Sequence, residues 1–209
     1  MDNTKEIYII GIGHNTGVTI ELAESAGFIV KGLIHYNHEL TGQERWGYPI
    51  VAQTQDFIKN NISSLNFALS MGDNGIRKTV FKKILNKGGK FPVLIHPSAV
   101  ISRFSTFESG VQIHANTTIQ CDVLIKQNSI ISYGVGITHN VEVGEHCYIA
   151  GHSIIGAYTK INRNVFIGMG TNTVSGKVQY IGENAYIGAG SLVINNVERE
   201  TKIYGRPAK

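Results

Sequence analysis

The chain is poor in the features that most quickly assign a class. Its two cysteines, Cys121 and Cys147, offer neither a disulfide framework nor the spacing of a metal site. Charged residues make up only 16%, and the net charge is a modest +4. There is no Lys/Arg run and no interleaving of basic with aromatic residues, so a nucleic-acid partner is not expected. Mild basicity suits a phosphate-bearing ligand instead. No apolar stretch is long enough to cross a bilayer and no secretory leader is recognisable, so membrane insertion is not expected and a cytoplasmic location is. A length of 209 residues leaves room for one or two domains with buried cores.

What the chain does have is a period of six. From Ile101, every sixth residue reads Ile101, Phe107, Ile113, Ile119, Ile125, Ile131, Ile137, Val143, Ile149, Ile155, Ile161, Ile167 and Thr173. Two places before each stands a small side chain, from Ala99 and Ser105 through Cys147 and Ser153 to Thr171. Three places after come Gly110, Asn116, Asp122, Asn128, Gly134, Asn140, His146, His152, Asn164, Gly170 and Gly176, mostly types that tolerate positive φ. A helix repeats at 3.6 and a strand at 2, so a short strand plus a turn is the unit that repeats here. Three hexads predict one triangular coil of a parallel β-helix, with the aliphatic column stacked inside. The phase slips once, by two residues between Thr173 and Ile181. The extra residues have to loop out at a corner, either as a flap over a ligand or as a neutral bulge.

Residues 5 to 92 follow another grammar. Strands are expected at 5–10, 28–34, 65–70 and 93–95, and helices at 18–26, 54–61 and 74–86. That alternation predicts a small, Rossmann-like parallel sheet. The expected division is 1–95 for this α/β domain and 96–209 for the β-helix, near His96-Pro97. Between the first strand and helix lies Gly11-Ile12-Gly13-His14-Asn15-Thr16-Gly17. Such a turn brings backbone N–H groups to a phosphate, or it simply connects strand to helix. Its third glycine falls one residue late for a dinucleotide fingerprint.

This Gly-x-Gly-His turn, the link His96-Pro97-Ser98-Ala99, the hexad array and the ending Gly205-Arg206-Pro207-Ala208-Lys209 together resemble the bacterial nucleotide-sugar N-acyltransferases of the PglD and NeuD group. The resemblance implies a left-handed β-helix and a homotrimer with active sites between adjacent β-helices. It also implies acetyl transfer from acetyl-CoA, a co-substrate, to the amino group of a nucleotide-linked amino sugar in surface-glycan synthesis. No metal is expected.

An amine attacking a thioester must lose a proton, and histidine is the usual base near neutral pH. The candidates are His96, His114, His139, His146 and His152. The resemblance selects His139, with Asn140 where the family has an acidic residue. Either Asn140 still orients the ring while Glu142 or Glu145 supplies charge, or the activity is altered. The developing oxyanion needs a preorganised donor. Ala157 lies one coil after His139, and the resemblance assigns that role to its N–H, left open by the small side chain. It also assigns acetyl-CoA contacts to Tyr148, Ala157, Met169 and Ala189. Arg206 is placed against a CoA phosphate or left as a solvated tail charge. For the acceptor it points to Gly11, Gly13 and His14, and to His35 and Tyr36 where the family has an acidic pair.

Three other readings carry distinct requirements. A β-helical zinc enzyme needs two histidines five residues apart, whereas His139, His146 and His152 are spaced by seven and six. A nicotinamide enzyme needs a complete dinucleotide domain with an acidic ribose ligand. A sugar-nucleotide-binding protein without catalysis would account for Asn140, Tyr148 and the absent acidic pair.

Overall fold

The computed structural model describes residues 5–209, which divide into two compact units at Leu94/Ile95. In the first, β1 (Lys5–Ile10), β2 (Phe28–His35), β3 (Glu44–Arg45), β4 (Tyr48–Gln53) and β5 (Asn66–Leu69) form one sheet in the order β3-β4-β2-β1-β5. All neighbours are parallel except β3 and β4, an antiparallel hairpin. The helices are α1 (Thr16–Ser25), α2 (Thr54–Phe57) and α3 (Asn74–Asn86).

Alternation along the strands divides their apolar residues between two cores, as a sheet covered on both faces requires. Ile9 and Leu33 pack with Ile20, Leu22 and Ile50, while Ile10 and Ile34 pack with Phe67, Phe81 and Phe91. Helix α3 starts where the Asp73 carboxylate accepts the Ile76 N–H at 2.8 Å, an N-cap. Several details differ from expectation, among them α1, which runs from Thr16 to Ser25. The hairpin β3–β4 was not anticipated, β2 runs on to His35, and α2 stops at Phe57. The strand expected at 93–95 is the pair Leu94–Ile95, which joins a β-helix face rather than the α/β sheet.

The second unit is a parallel β-helix with three faces. Its two-residue strands stack into a six-stranded face from Val100–Ile101 to Leu192–Val193, a five-stranded face from Thr106–Phe107 to Tyr180–Ile181, and a seven-stranded face from Leu94–Ile95 to Lys202–Ile203. Most partners are 18 residues apart, as in Ile119 with Ile137 and Ile137 with Ile155. The hexad columns acquire physical roles here. From Ile113 to Ile167 the aliphatic column is essentially without solvent exposure, and the small-residue column is equally buried from Val111 to Thr171. The turn column takes φ near +60°, from Asn116 (57°) to Asn184 (59°).

One member of that column is absent from the sequence reading. Tyr158 has φ +64°, a conformation that is a true outlier for a bulky side chain. The insertion forms a turn at 174–179, where Lys177 and Val178 both donate to the Val174 carbonyl. The coils beyond it resume stacking with Lys160 opposite Tyr180.

Candidate active site

In the first unit the strand ends and the glycine turn enclose a cavity of about 680 Å³. Gly11, Gly13, His14, His35 and Tyr36 all line it, with Ser70, Met71, Ile76 and Lys83 completing the wall. The two glycines have different work. Gly11 sits at φ +108°, and a Cβ there would lie 2.7 Å from Ser70 Oγ, so the backbone itself demands glycine. Gly13 has open space where a Cβ would stand. Its N–H is taken by Thr16 Oγ1 at 2.8 Å.

His35 is buried, and that burial pushes its imidazole below the ordinary value, which favours the neutral ring. Its Nδ1 finds no hydrogen-bond partner among the described residues. Tyr36, by contrast, is largely exposed, its ring 4.2 Å from the His35 ring. Lys83 and Met71 escaped the sequence reading because they lie on elements distant in the chain from the glycine turn.

The proposed base lies on the corner between the six- and five-stranded faces, in the turn from Gly136–Ile137 to Glu142–Val143. The Asn140 carboxamide oxygen is 2.9 Å from His139 Nδ1. An oxygen can only accept, so this orientation of the carboxamide favours the Nδ1–H tautomer of the neutral ring, the one whose lone pair is at Nε2. The His139 N–H donates to Gln120 Oε1 at 3.1 Å, and the Tyr158 ring stands perpendicular to the imidazole at 5.3 Å.

Glu142 and Glu145, considered above as sources of charge, are engaged elsewhere. Glu142 holds Lys126 at 2.6 Å and Lys160 at 3.6 Å, and these ammonium groups, Lys126 first, keep its carboxyl below the usual range. Glu145 faces His146. Both carboxylates line a charged groove of about 580 Å³, where Arg163 also pairs with Glu183 at 2.7 Å.

Ala157 does lie one coil beyond His139, but its amide is not open. The residue is 5% exposed and its N–H donates to Ser175 Oγ at 3.0 Å. Ser175 lies one 18-residue coil beyond Ala157, so the ordinary stacking of the coils sets its hydroxyl on that amide. An oxyanion at that amide must displace or share the serine hydroxyl.

The remaining candidates collect on a different corner, between the seven- and six-stranded faces. Gly190 N–H donates to the Met169 carbonyl at 2.7 Å, and Arg206 Nε donates to the Gly190 carbonyl at 2.6 Å, so Met169, Ala189 and Arg206 form one exposed cluster. Tyr148 lies on the adjoining seven-stranded face, stacked on Phe166 at 5.5 Å. Within one chain, then, the base and the acyl-donor candidates occupy separate edges of the prism. Among the described residues no three His, Cys, Asp or Glu side chains converge as metal ligands.

The stacked hexad coils are the architecture of the hexapeptide-repeat acyltransferases, and the comparisons fall in that class. The chain is 34% identical over 123 residues to a UDP-3-O-acylglucosamine N-acyltransferase of Campylobacter lari, and 34% over 122 residues to a serine acetyltransferase of Buchnera aphidicola. These matches take in 57% of the chain but only 36% and 38% of the relatives, so it spans little more than a third of their length. No family model matches.

The solved structures are more particular. PerB from Caulobacter crescentus, solved with CoA and GDP-perosamine, has a TM-score of 0.90 at 26% identity, covering 98% of this chain and 96% of PerB. The acetyltransferase domain of PglB from Neisseria gonorrhoeae shares the fold at a TM-score of 0.89 and 23% identity, covering 99% of each. The chain thus resembles the nucleotide-sugar N-acetyltransferases over nearly its whole length.

Proposed function

We propose that this protein is an acetyl-CoA-dependent N-acetyltransferase acting on the amino group of a nucleotide-linked amino sugar. The observation that carries the proposal is the His139–Asn140 contact, which favours the Nδ1–H tautomer and so supports Nε2 as the base at this corner. Nε2 takes a proton from the amine as its nitrogen bonds to the thioester carbonyl carbon. As that bond forms the carbonyl oxygen becomes an oxyanion at the Ala157 turn; its collapse breaks the C–S bond, and the leaving CoA thiolate takes the proton held on Nε2 to become the thiol.

The first unit, taken as a Rossmann-like domain, holds the nucleotide sugar in the cavity around Gly13, His14, His35 and Tyr36. The β-helix, taken as left-handed, holds acetyl-CoA along Tyr148, Met169, Ala189 and Arg206. Because those residues and His139 lie on separate edges, a complete site needs a neighbouring copy, and a cytoplasmic homotrimer supplies it.

The test is CoA thiol release from acetyl-CoA with UDP-, dTDP- and GDP-linked amino sugars, beside His139→Ala. One acceptor should drive turnover, and the substitution should lower kcat by about 10²–10⁴-fold without changing Tm. Binding of a nucleotide sugar with no turnover for any acceptor would replace this reading with that of a binding protein, consistent with the occupied Ala157 amide.

A further inference from the structure

We infer that Tyr158 is a positioning residue for the His139 base, kept in a strained backbone conformation for that purpose; the inference rests on His139 being the base. Other non-glycine φ-positive positions of the β-helix are held by Asn, Asp, His or Glu, as at Asn116, Asp122, His152 and Glu200. Small polar side chains tolerate this region through local hydrogen bonding. A tyrosine gains nothing of that kind from the turn.

Tyr158 is 63% exposed, so core packing does not account for it either. What it does contact is the imidazole, at 5.3 Å between ring centres and an interplanar angle of 86°. Its N–H also donates to the His139 carbonyl at 3.4 Å.

Tyr158 stands one coil beyond Asn140 in the same column, so the imidazole has two lateral restraints. Asn140 fixes Nδ1 by a hydrogen bond, and the Tyr158 ring fixes the plane by a perpendicular aromatic contact. Among the described residues no carboxylate pairs with the ring, so orientation comes from these two neighbours. Strain retained at a functional position, where a less strained residue is available, is the signature of this arrangement.

The experiment compares wild type with Tyr158→Phe, Tyr158→Leu and Tyr158→Asn. Three quantities are read: kcat and KM for both substrates, Tm, and the His139 ring proton and nitrogen resonances. Tyr158→Phe keeps the ring and should hold kcat within about threefold. Tyr158→Leu and Tyr158→Asn should lower kcat by about tenfold or more with KM nearly unchanged. Both should also move the His139 resonances away from their ring-shifted positions.

Tyr158→Asn should at the same time raise Tm by about 2–4 °C, because asparagine suits this φ. Resonances and kcat unaltered by Leu and Asn would overturn the inference, as would a loss confined to KM. Should wild type turn over no acceptor while the resonances still move, the positioning contact stands and the enzymatic reading fails.

Discussion

The two units of the chain store structural information in opposite ways. In the β-helix, column position tells which residues of the aliphatic and small columns are buried and which residues of the turn column take positive φ. In the α/β unit each position has its own reason: Gly11 and Gly13 are the same residue two places apart, yet one is required by the backbone and the other faces open space. Repetition therefore makes exceptions visible. Tyr158 and the insertion before Ile181 stand out in the β-helix because every other coil shows what belongs there, whereas His35 must be found through its own burial and its unsatisfied nitrogen.

The contrast is open to attack by substitution. If column position governs energetics, Ile137→Ala and Ile155→Ala, both fully inward, should each cost about 3 kcal/mol in denaturant unfolding. A spread much wider than that between the two would break the rule. For the α/β unit, Gly11→Ala should destabilise by about 2 kcal/mol through strain and its approach to Ser70. Gly13→Ala should leave Tm unchanged while weakening nucleotide-sugar binding by about tenfold in calorimetry. Equal stability losses at both glycines would erase the distinction drawn here.

The first coils of the β-helix contain a titrating exception. Burial, and to a lesser degree the neighbouring His96, lowers His114 from the ordinary 6.5 to about 4. An unfolded chain takes up the proton near pH 6.5 and the folded one only near 4, so its contribution is complete above 6.5 and is lost as pH falls through that window. Unfolding free energy should drop by about 2 kcal/mol between pH 7 and 5, and His114→Gln should flatten the dependence. The smallest effect belongs to Ser175→Ala, which removes the acceptor from the Ala157 amide. A stability loss of about 1 kcal/mol with acetyl transfer retained or increased would mark Ser175 as a competitor for that N–H, while loss of transfer would mark its hydroxyl as the oxyanion donor.

The β-helix was legible because burial and backbone twist repeat together, so two columns fixed the register before any residue was considered by itself. Tyr158 was passed over because residue type argues against positive φ. That inference is sound for a turn and misleads where a contact compensates the strain. The insertion could be located from the lost phase, and the 18-residue period stacks Ser175 on Ala157, but the period does not tell that the serine hydroxyl accepts from that amide. In the first unit the strands carrying Ile7 to Ile10 and Leu33 to Ile34 were plain from apolar runs. The hairpin at 44–53 was hidden by Pro49 and a lack of alternation, and only Trp46-Gly47, with φ 51° and 78°, fits the tight turn that joins its strands. The five acceptor residues were named singly; that they share a cavity with Lys83 and Met71 depends on the packing of α3.

The insertion at 174–179 also bears on how such a protein can be altered. Offsets between stacked strands are 18 residues before it and 20 across it, as in Ile154 with Asn172 and Phe166 with Tyr186, yet the faces continue without a break. Length added at a corner is absorbed there and not passed along the stack, so each corner is a socket for grafted peptide. Diversity introduced at 174–179 would fall beside Ala157 and His139, and a library of loops at that corner would explore acceptor and acyl-donor preference while the load-carrying prism stays the same.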